Sequence, residues 1–120
     1  MGNPIDNHIM NKTTISIAST YSETPAGRYY SDGPFSGEKF RTEILLPALQ
    51  SFDLVEVNFD GTLGYGSSFL EEAFGGLIRE CGMTLEQLNN KLVIHSTRSL
   101  YLKRAKKYMI DAENRRHGKK

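Results

Sequence analysis

The sequence predicts a single α/β domain in which a mainly parallel sheet is covered by helices. Segments 13–19, 54–59 and 91–96 have the alternating or apolar pattern of strands, and stretches with helical spacing of apolar residues separate them. Strands that alternate with helices are typical of parallel sheets built from right-handed crossovers. A chain of 120 residues, 38% hydrophobic and 24% charged, fits one domain with its own core.

The predicted domain occupies residues 13–117 and ends in a basic helix. Residues 1–12 are polar and lack a clear period, so we expect a flexible arm, and residues 118–120 form a tail. No secretory signal is visible, and no segment approaches the roughly 18 apolar residues of a membrane helix. The single cysteine, Cys81, excludes an internal disulfide and fits a packed thiol in a reducing compartment. These observations predict a cytoplasmic protein that does not bind membranes.

In the first half of the chain, a strand is followed by a long loop and a helix. Residues 13–19 alternate between polar and apolar side chains, as a half-buried strand does. Residues 20–35 are rich in turn-forming proline and glycine and leave room for a short second strand at 28–30. Apolar residues at helical spacing predict a helix over 36–51, which Pro47 should kink or end early.

The second half has a clearer order of elements. Residues 54–59 form the best strand, and a glycine-rich loop follows over 61–66. Ser68 begins a capping-box pattern, which predicts that the next helix spans 68–80. The remaining predicted elements are a short capped helix over 84–90, a strand over 91–96 and the basic helix over 98–115.

The segment 25–41, PAGRYYSDGPFSGEKFR, is the first candidate binding site. Ser36 and Gly37 stand where a helix begins, and the free N–H groups of a helix N-terminus attract anions. Arg28 and Arg41 have the guanidinium groups that grip an oxyanion. The alternative is a turn with an N-cap and two surface arginines, and the pattern leaves both interpretations open. A nucleotide P-loop is excluded because no Gly-Lys-Ser/Thr follows.

The second candidate is the loop Gly64, Tyr65 and Gly66 with the serines that follow it, Ser67 and Ser68. In open α/β sheets, ligand and partner sites collect at the carboxyl ends of strands. A serine at this place can be a nucleophile, a phosphate acceptor or a helix cap. We expect Ser68 to be the cap, which leaves Ser67 as the freer hydroxyl, and a helix N-terminus tolerates added phosphate well. The Gly-x-Ser-x-Gly pattern of hydrolases is absent.

Three other features are interpreted structurally. His95 is expected to be a hydrogen-bonded core histidine, so no enzymatic activity is predicted. Glu71 and Glu72 are expected to be solvated, because adjacent helix residues point about 100° apart. Gly75 and Gly76 cost a helix roughly 1.5–2 kcal/mol relative to alanine, which favours close internal packing there. The scattered histidines lack the spacing of metal ligands, and no metal or other cofactor is expected.

The net charge of +1 hides a split along the chain. Residues 1–97 hold 6 basic and 12 acidic residues, a net of −6, whereas residues 98–120 hold 9 basic and 2 acidic residues, a net of +7. The basic helix is either a solvated face that compensates the acidic body or a docking patch for an acidic protein or nucleic acid. No aromatic residues alternate with the basic run as stacking platforms, so nucleic acid is not an expected partner.

Three segments resemble the STAS-like bacterial family of unknown function catalogued as DUF4325. They are GRYYSDGPFSGEKFR (27–41), LLPAL (45–49) and VNFDGTLGYGSSFLEEAFGGLIR (57–79), and the resemblance extends over about residues 13–97. It implies the fold of anti-sigma-factor antagonists, which is a small mixed or partly parallel sheet with helices packed on one side.

The same resemblance implies a function and a site. Classical antagonists carry a phosphoacceptor serine at the N-terminus of the helix after the central strand, usually in an Asp-Ser-x-Gly context. Ser67 matches the acceptor position and Ser68 its neighbour, whereas Gly66 replaces the aspartate and Phe69 the glycine. The implied function is that of a non-enzymatic regulatory module that binds a histidine-kinase-type ATPase or a similar partner.

The predicted partner surface includes Glu71 of the following helix as well as the residues of the two candidate segments. The alternative function is a protein or enzyme that binds a small phosphorylated ligand between loops 25–37 and 61–68. Convergence of Arg28, Arg41 and Ser67 on one cavity would favour this alternative.

Overall fold

The computed structural model of the protein describes residues 11–118. Residues 1–10 of the predicted arm and the last two residues of the predicted tail lie outside this range. Three strands, β1 (Lys12–Ser16), β2 (Leu54–Asn58) and β3 (Leu92–His95), form one sheet in the order β1-β2-β3. Both strand pairs are parallel, so the predicted α/β class is confirmed.

Helices connect the strands, as right-handed parallel crossovers require. Their bounds are 37–51 for α1, 67–79 for α2, Leu85–Lys91 for α3 and Ser99–Arg116 for α4. Thr84 and Gln87 form the predicted capping box at the start of α3. Among the described residues, no helix is long and apolar enough to span a bilayer.

A wide π-helical turn interrupts each of the first two helices, at Arg41–Leu45 in α1 and at Glu71–Gly75 in α2. Of the two outcomes predicted for Pro47, an early end of the helix is wrong, because α1 continues to Ser51, and a kink stays a prediction. Pro47 lies in the first turn after the π-helical segment, where the missing N–H of proline costs least.

The predicted short strand at 28–30 is also wrong, because the chain turns there. A 3₁₀ turn spans Tyr30–Asp32. The Asp32 carboxylate accepts hydrogen bonds from the backbone N–H groups of Arg28 (3.2 Å) and Tyr29 (2.8 Å). These donors are therefore not available for a strand ladder.

The helices cover one face of the sheet. Ile15, Val55 and Val57 are at most 6% exposed and point into the core, and Ile15 stands opposite Val57 in the register. The other face is polar and carries an ion-pair chain in which Glu56 binds Lys12 on one side and His95 on the other.

Aromatic rings fill the space between α1, α2 and the sheet. Phe40 of α1 lies 6.0 Å from Phe69 and 6.4 Å from Phe74, both in α2, and Phe59 lies 5.5 Å from Phe74, measured between ring centroids. All four side chains are 0–2% exposed. Each phenylalanine buries roughly 150–250 Å² of mainly apolar surface, so this cluster fixes α2 and the loop before it.

Candidate functional site

The candidate phosphoacceptors Ser67 and Ser68 lie at the start of α2, directly after the loop that leaves β2, and both are exposed. The N-cap residue is Gly66, which has extended backbone angles and offers no side-chain cap. The predicted cap at Ser68 is therefore wrong. The helix begins one residue earlier than expected, and Glu71, which would complete the capping box, is bound by arginines instead.

Tyr65 holds the loop before these serines from inside the protein. It is 6% exposed, its hydroxyl donates to the Phe59 carbonyl (2.6 Å), and its ring packs 5.8 Å from that of Phe69. Burial raises the pKa of the Tyr65 hydroxyl to about 12. Tyr65 therefore positions the loop rather than presenting its ring to a partner.

The loop also needs glycine and presents one large apolar side chain. Gly64 has a φ of +148°, and a Cβ there would lie 2.8 Å from the Tyr101 hydroxyl. The backbone N–H of Leu63 donates to the Glu23 carbonyl (2.9 Å), which ties this loop to the loop after β1. The Leu63 side chain is 82% exposed. Leu63 and Ser67 thus share the exposed part of one loop–helix junction.

The predicted anion site at the start of α1 is not supported by the structure. Ser36 caps the helix as expected, since its hydroxyl accepts from the Lys39 N–H (3.2 Å), and it is 0% exposed. However, the backbone N–H of Gly37 donates to the Gly27 carbonyl and that of Glu38 to the Arg28 carbonyl, both at 2.9 Å. These N–H groups are occupied by the neighbouring loop and cannot receive an anion.

The two arginines of that candidate site bind glutamates of α2. Arg41 is 5% exposed and donates through Nη1 to the Glu72 carbonyl (2.5 Å) and to the Glu72 carboxylate (2.8 Å). Arg28 donates to both Glu71 and Glu72, the latter at 3.3 Å. The alternative interpretation is right about the turn and the N-cap at Ser36, but it is wrong about two surface arginines, because Arg41 is buried and Arg28 is only partly exposed.

Arg79 completes this group, which we call the ion cluster: Arg28, Arg41, Glu71, Glu72 and Arg79. Arg79 donates to Glu71 and, at 3.1 Å, to Glu72. The interpretation of the two glutamates as solvated is wrong, because Glu72 is 3% exposed. Burial opposes ionisation of Glu71, but hydrogen bonds from Arg79 and Arg28 outweigh it and hold the pKa of Glu71 below its usual value. Three distant segments are joined through one helix face.

The glycine pair of α2 makes room for its neighbours. A Cβ at Gly76 would lie 2.1 Å from Nη1 of Arg41, and one at Gly75 would lie 3.3 Å from the Tyr108 carbonyl of α4. The predicted close internal packing is thus present at both positions. The glycine pair was the signal in the sequence that another group packs closely against this helix. The sequence did not show that this group at Gly76 is Arg41.

The sequence analysis missed a small polar cavity of about 130 Å³ at the carboxyl edge of the sheet. Its polar lining comprises Asp60, Thr62, Ser96, Thr97, Arg98 and Tyr101. The Asp60 carboxylate accepts from both the N–H and the hydroxyl of Thr97, each at 3.0 Å, and so joins the loops that follow β2 and β3. Polar residues directly after two adjacent parallel strands were the signal that predicts such a cavity.

His95 does not lie near the serines. Its side chain is 54% exposed on the polar sheet face, opposite the face that α2 covers, and Nε2 lies 2.9 Å from Glu56. The predicted hydrogen bond is present, but the core location is wrong, because the strand alternation places Ile94 inward and His95 outward. Within residues 11–118, no group of three or more His, Cys, Asp or Glu side chains is arranged to hold a metal ion.

Comparison with known protein families agrees with this fold. The STAS-like domain of unknown function DUF4325 matches residues 36–100, more than half of the chain, from the start of α1 to the start of α4. No curated protein and no solved structure matches the chain. The matched region contains the parallel β2–α2–β3 unit, both candidate serines and most of the ion cluster. The chain therefore belongs to the STAS-like family of unknown function DUF4325.

Proposed function

We propose that this protein is a non-enzymatic regulatory module that binds a histidine-kinase-type ATPase through the junction of loop 61–66 and α2, and that Ser67 is its phosphorylation switch. One observation carries the proposal. Ser67 is exposed at the N-terminus of a 67–79 helix that has neither a side-chain cap nor an acidic residue in its first α-helical segment. The exposed Leu63 lies on the same junction and supplies an apolar contact.

Elementary electrostatics supports a phosphate at this position. The first N–H groups of a helix and its dipole favour negative charge, so phosphorylation of Ser67 gains hydrogen bonds without disrupting the helix. Glu71 lies one turn along the same face and would repel a phosphate if it were alone. The hydrogen bonds that Glu71 receives from Arg28 and Arg79 offset that repulsion.

Arg28 supplies a route by which the switch changes the surface. Its side chain is 29% exposed, whereas that of Arg41 is 6% exposed. Arg28 binds Glu71, which lies one helical turn after Ser67. A phosphate on Ser67 would therefore compete with Glu71 for Arg28, because a doubly charged oxyanion is a stronger acceptor for guanidinium than a carboxylate. Arg28 belongs to the loop that covers the start of α1, so its transfer to the phosphate would reshape the surface beside Ser67.

The ligand-binding alternative lacks the free arginines that would bind the anion. It requires Arg28 and Arg41 to face a cavity together with Ser67, but both arginines bind the glutamates of α2. Arg41 is also almost fully buried. The regulatory proposal needs no free arginine pair, and it uses the exposed residues of the loop–helix junction instead.

The test is a calorimetric titration of this protein with each histidine-kinase-type ATPase encoded in its own genome. Leu63→Ala should weaken binding about tenfold or more if Leu63 is an interface anchor. The matched control is Ile110→Ala, because Ile110 is 45% exposed on α4, away from the junction. Absence of binding by the unsubstituted protein, or equal losses in both variants, contradicts the proposed surface. Binding without phosphorylation of either serine would reduce the protein to an adaptor.

A further inference from the structure

A second surface lies at the end of α2 opposite to Ser67, where α2 and α4 both terminate. A cleft of about 470 Å³ opens between these helix ends, and its volume is within the range of pockets that hold small ligands or anchoring side chains. Its lining residues come from α2, the turn after it and the last turns of α4, and they are Ile78, Arg79, Gly82, Ala112, Arg115 and Arg116.

The floor of this cleft is apolar and its mouth is open. Ile78 and Ala112 are 2% and 3% exposed and close the bottom of the cleft. Gly82 is exposed, and a Cβ at that position would meet no atom within 4 Å. A side chain from another molecule can therefore reach the floor without displacing part of this chain.

The rim of the cleft is basic, and Glu113 lies near it, with its pKa lowered by the Leu85 N–H, by His117 and by Arg116. Arg115 and Arg116 are exposed, and neither forms an ion pair with a carboxylate among residues 11–118. Among the described residues, the Arg116 side chain donates a single hydrogen bond, a long contact of 3.4 Å to the Met83 carbonyl. The nearby Glu113 accepts instead from the Leu85 N–H and from His117.

The third arginine of the rim is already paired. Arg79 binds Glu71, Glu72 and Glu80. Cations near a helix C-terminus are favourable in themselves, but that effect accounts for the charges only and not for an open apolar cleft between them.

We propose that this cleft docks an acidic segment of a partner protein, with an apolar side chain on the floor and flanking carboxylates on Arg115 and Arg116. Guanidinium groups match carboxylates with two parallel hydrogen bonds, which gives direction as well as attraction. The apolar floor fits a peptide side chain better than a nucleic-acid backbone. The net charge of +7 on residues 98–120 also favours an acidic segment. This surface does not depend on phosphorylation at Ser67.

The experiment is an NMR titration of the full chain with a short blocked peptide that has leucine between glutamate residues. We expect the Gly82 amide and the methyl groups of Ile78 and Ala112 to shift together. The peptide with glutamine in place of glutamate, and the one with alanine in place of leucine, should each bind about tenfold more weakly.

Charge-matched variants decide whether the cleft or the overall charge is responsible. Arg115→Gln with Arg116→Gln should weaken binding about tenfold. The control is Lys103→Gln with Lys106→Gln, which removes the same charge from exposed positions of α4 and should leave binding within about twofold. Circular dichroism verifies that both double variants remain folded. Equal losses in the two variants, equal binding of the glutamine peptide, or no shift at the cleft would overturn the proposal.

Discussion

The polar side chains of α2 are exposed in its first turn and bound by arginines one turn later. The first turn leaves the hydroxyls of Ser67 and Ser68 exposed and has no side-chain cap. One turn later, Glu71 and Glu72 are bound by three arginines from separate segments, and Glu72 is 3% exposed. Few sequence positions separate the free hydroxyls from the buried carboxylates.

This difference shows how one helix can be held firmly against the core and still expose polar side chains at its start. The ion cluster and the aromatic rings hold α2 against α1, and Phe69 and Leu70 of the first turn are buried, so the exposed Ser67 and Ser68 of that turn have a fixed direction. A surface that is presented by a rigid element binds with less loss of conformational entropy than a mobile one. In the proposed function, the fixed second half of α2 allows the exposed serines of the first turn to act as a recognition element.

The largest effect on the fixed half of α2 is expected from removal of Arg41, the most buried arginine of the ion cluster. Arg41→Ala should lower the free energy of unfolding by about 3 kcal/mol, because it leaves a buried carboxylate without its closest partner. Chemical denaturation measures the change, and Lys103→Ala, on the exposed face of α4, should stay within about 0.5 kcal/mol. A loss at Arg41 below about 1 kcal/mol would show that the cluster is not the fixed part of α2.

A second pair of variants compares Gly37, which packs against α2, with Gly66, which is exposed directly before α2. Gly37→Ala should cost about 1–3 kcal/mol, because its Cβ would lie 2.5 Å from the Phe69 carbonyl. Gly66→Ala should change stability by no more than about 0.5 kcal/mol, because its Cβ would meet no atom within 4 Å. Similar costs for the two variants, measured by thermal unfolding, would remove the distinction between the packed and the free region.

Acid should weaken the ion cluster. The pKa of Glu71 in the folded protein lies below its usual value of 4.5, so its stabilising contribution is complete above that value and is lost as the pH falls through the folded pKa. Unfolding measured from roughly pH 6 to pH 3 should show stability falling in the acid part of the range. Glu71→Gln should flatten this fall, whereas the exposed Glu86→Gln should not, and equal slopes would count against the cluster.

The smallest effect is expected at the free end of the helix. Ser67→Asp gains about 0.3–1 kcal/mol from the helix dipole and loses about 0.2–0.5 kcal/mol to Glu71 one turn away. The net change in unfolding free energy should therefore stay within about 0.5 kcal/mol, with Ser67→Asn as the uncharged control. A destabilisation of more than about 1 kcal/mol by aspartate alone would mean that Ser67 is not free to accept charge.

Local patterns in the sequence predicted three strands, the helices and the exposed serines, because periodicity and turn residues act over a few positions. They overran the first strand, which ends at Ser16 because a π-helical turn follows over Ile17–Tyr21. The ion cluster was only partly predictable in this way: Arg79 lies on the same helix as Glu71 and Glu72, whereas Arg28 and Arg41 reach these glutamates only when the segments before β2 pack against α2. The start of α2 was misplaced by one residue for the same reason, since tertiary ion pairs took the glutamate that local capping would have used.

The central claim is that Ser67 is the switch of a regulatory surface, and the most direct measurement is phosphosite mapping. The protein is incubated with ATP and each histidine-kinase-type ATPase encoded in its own genome, and its peptides are analysed by mass spectrometry. We expect phosphate on Ser67, retained in Ser68→Ala and lost in Ser67→Ala, with the exposed Ser31 unmodified. Binding without phosphate on Ser67, or modification of Ser31 to the same extent, would contradict it.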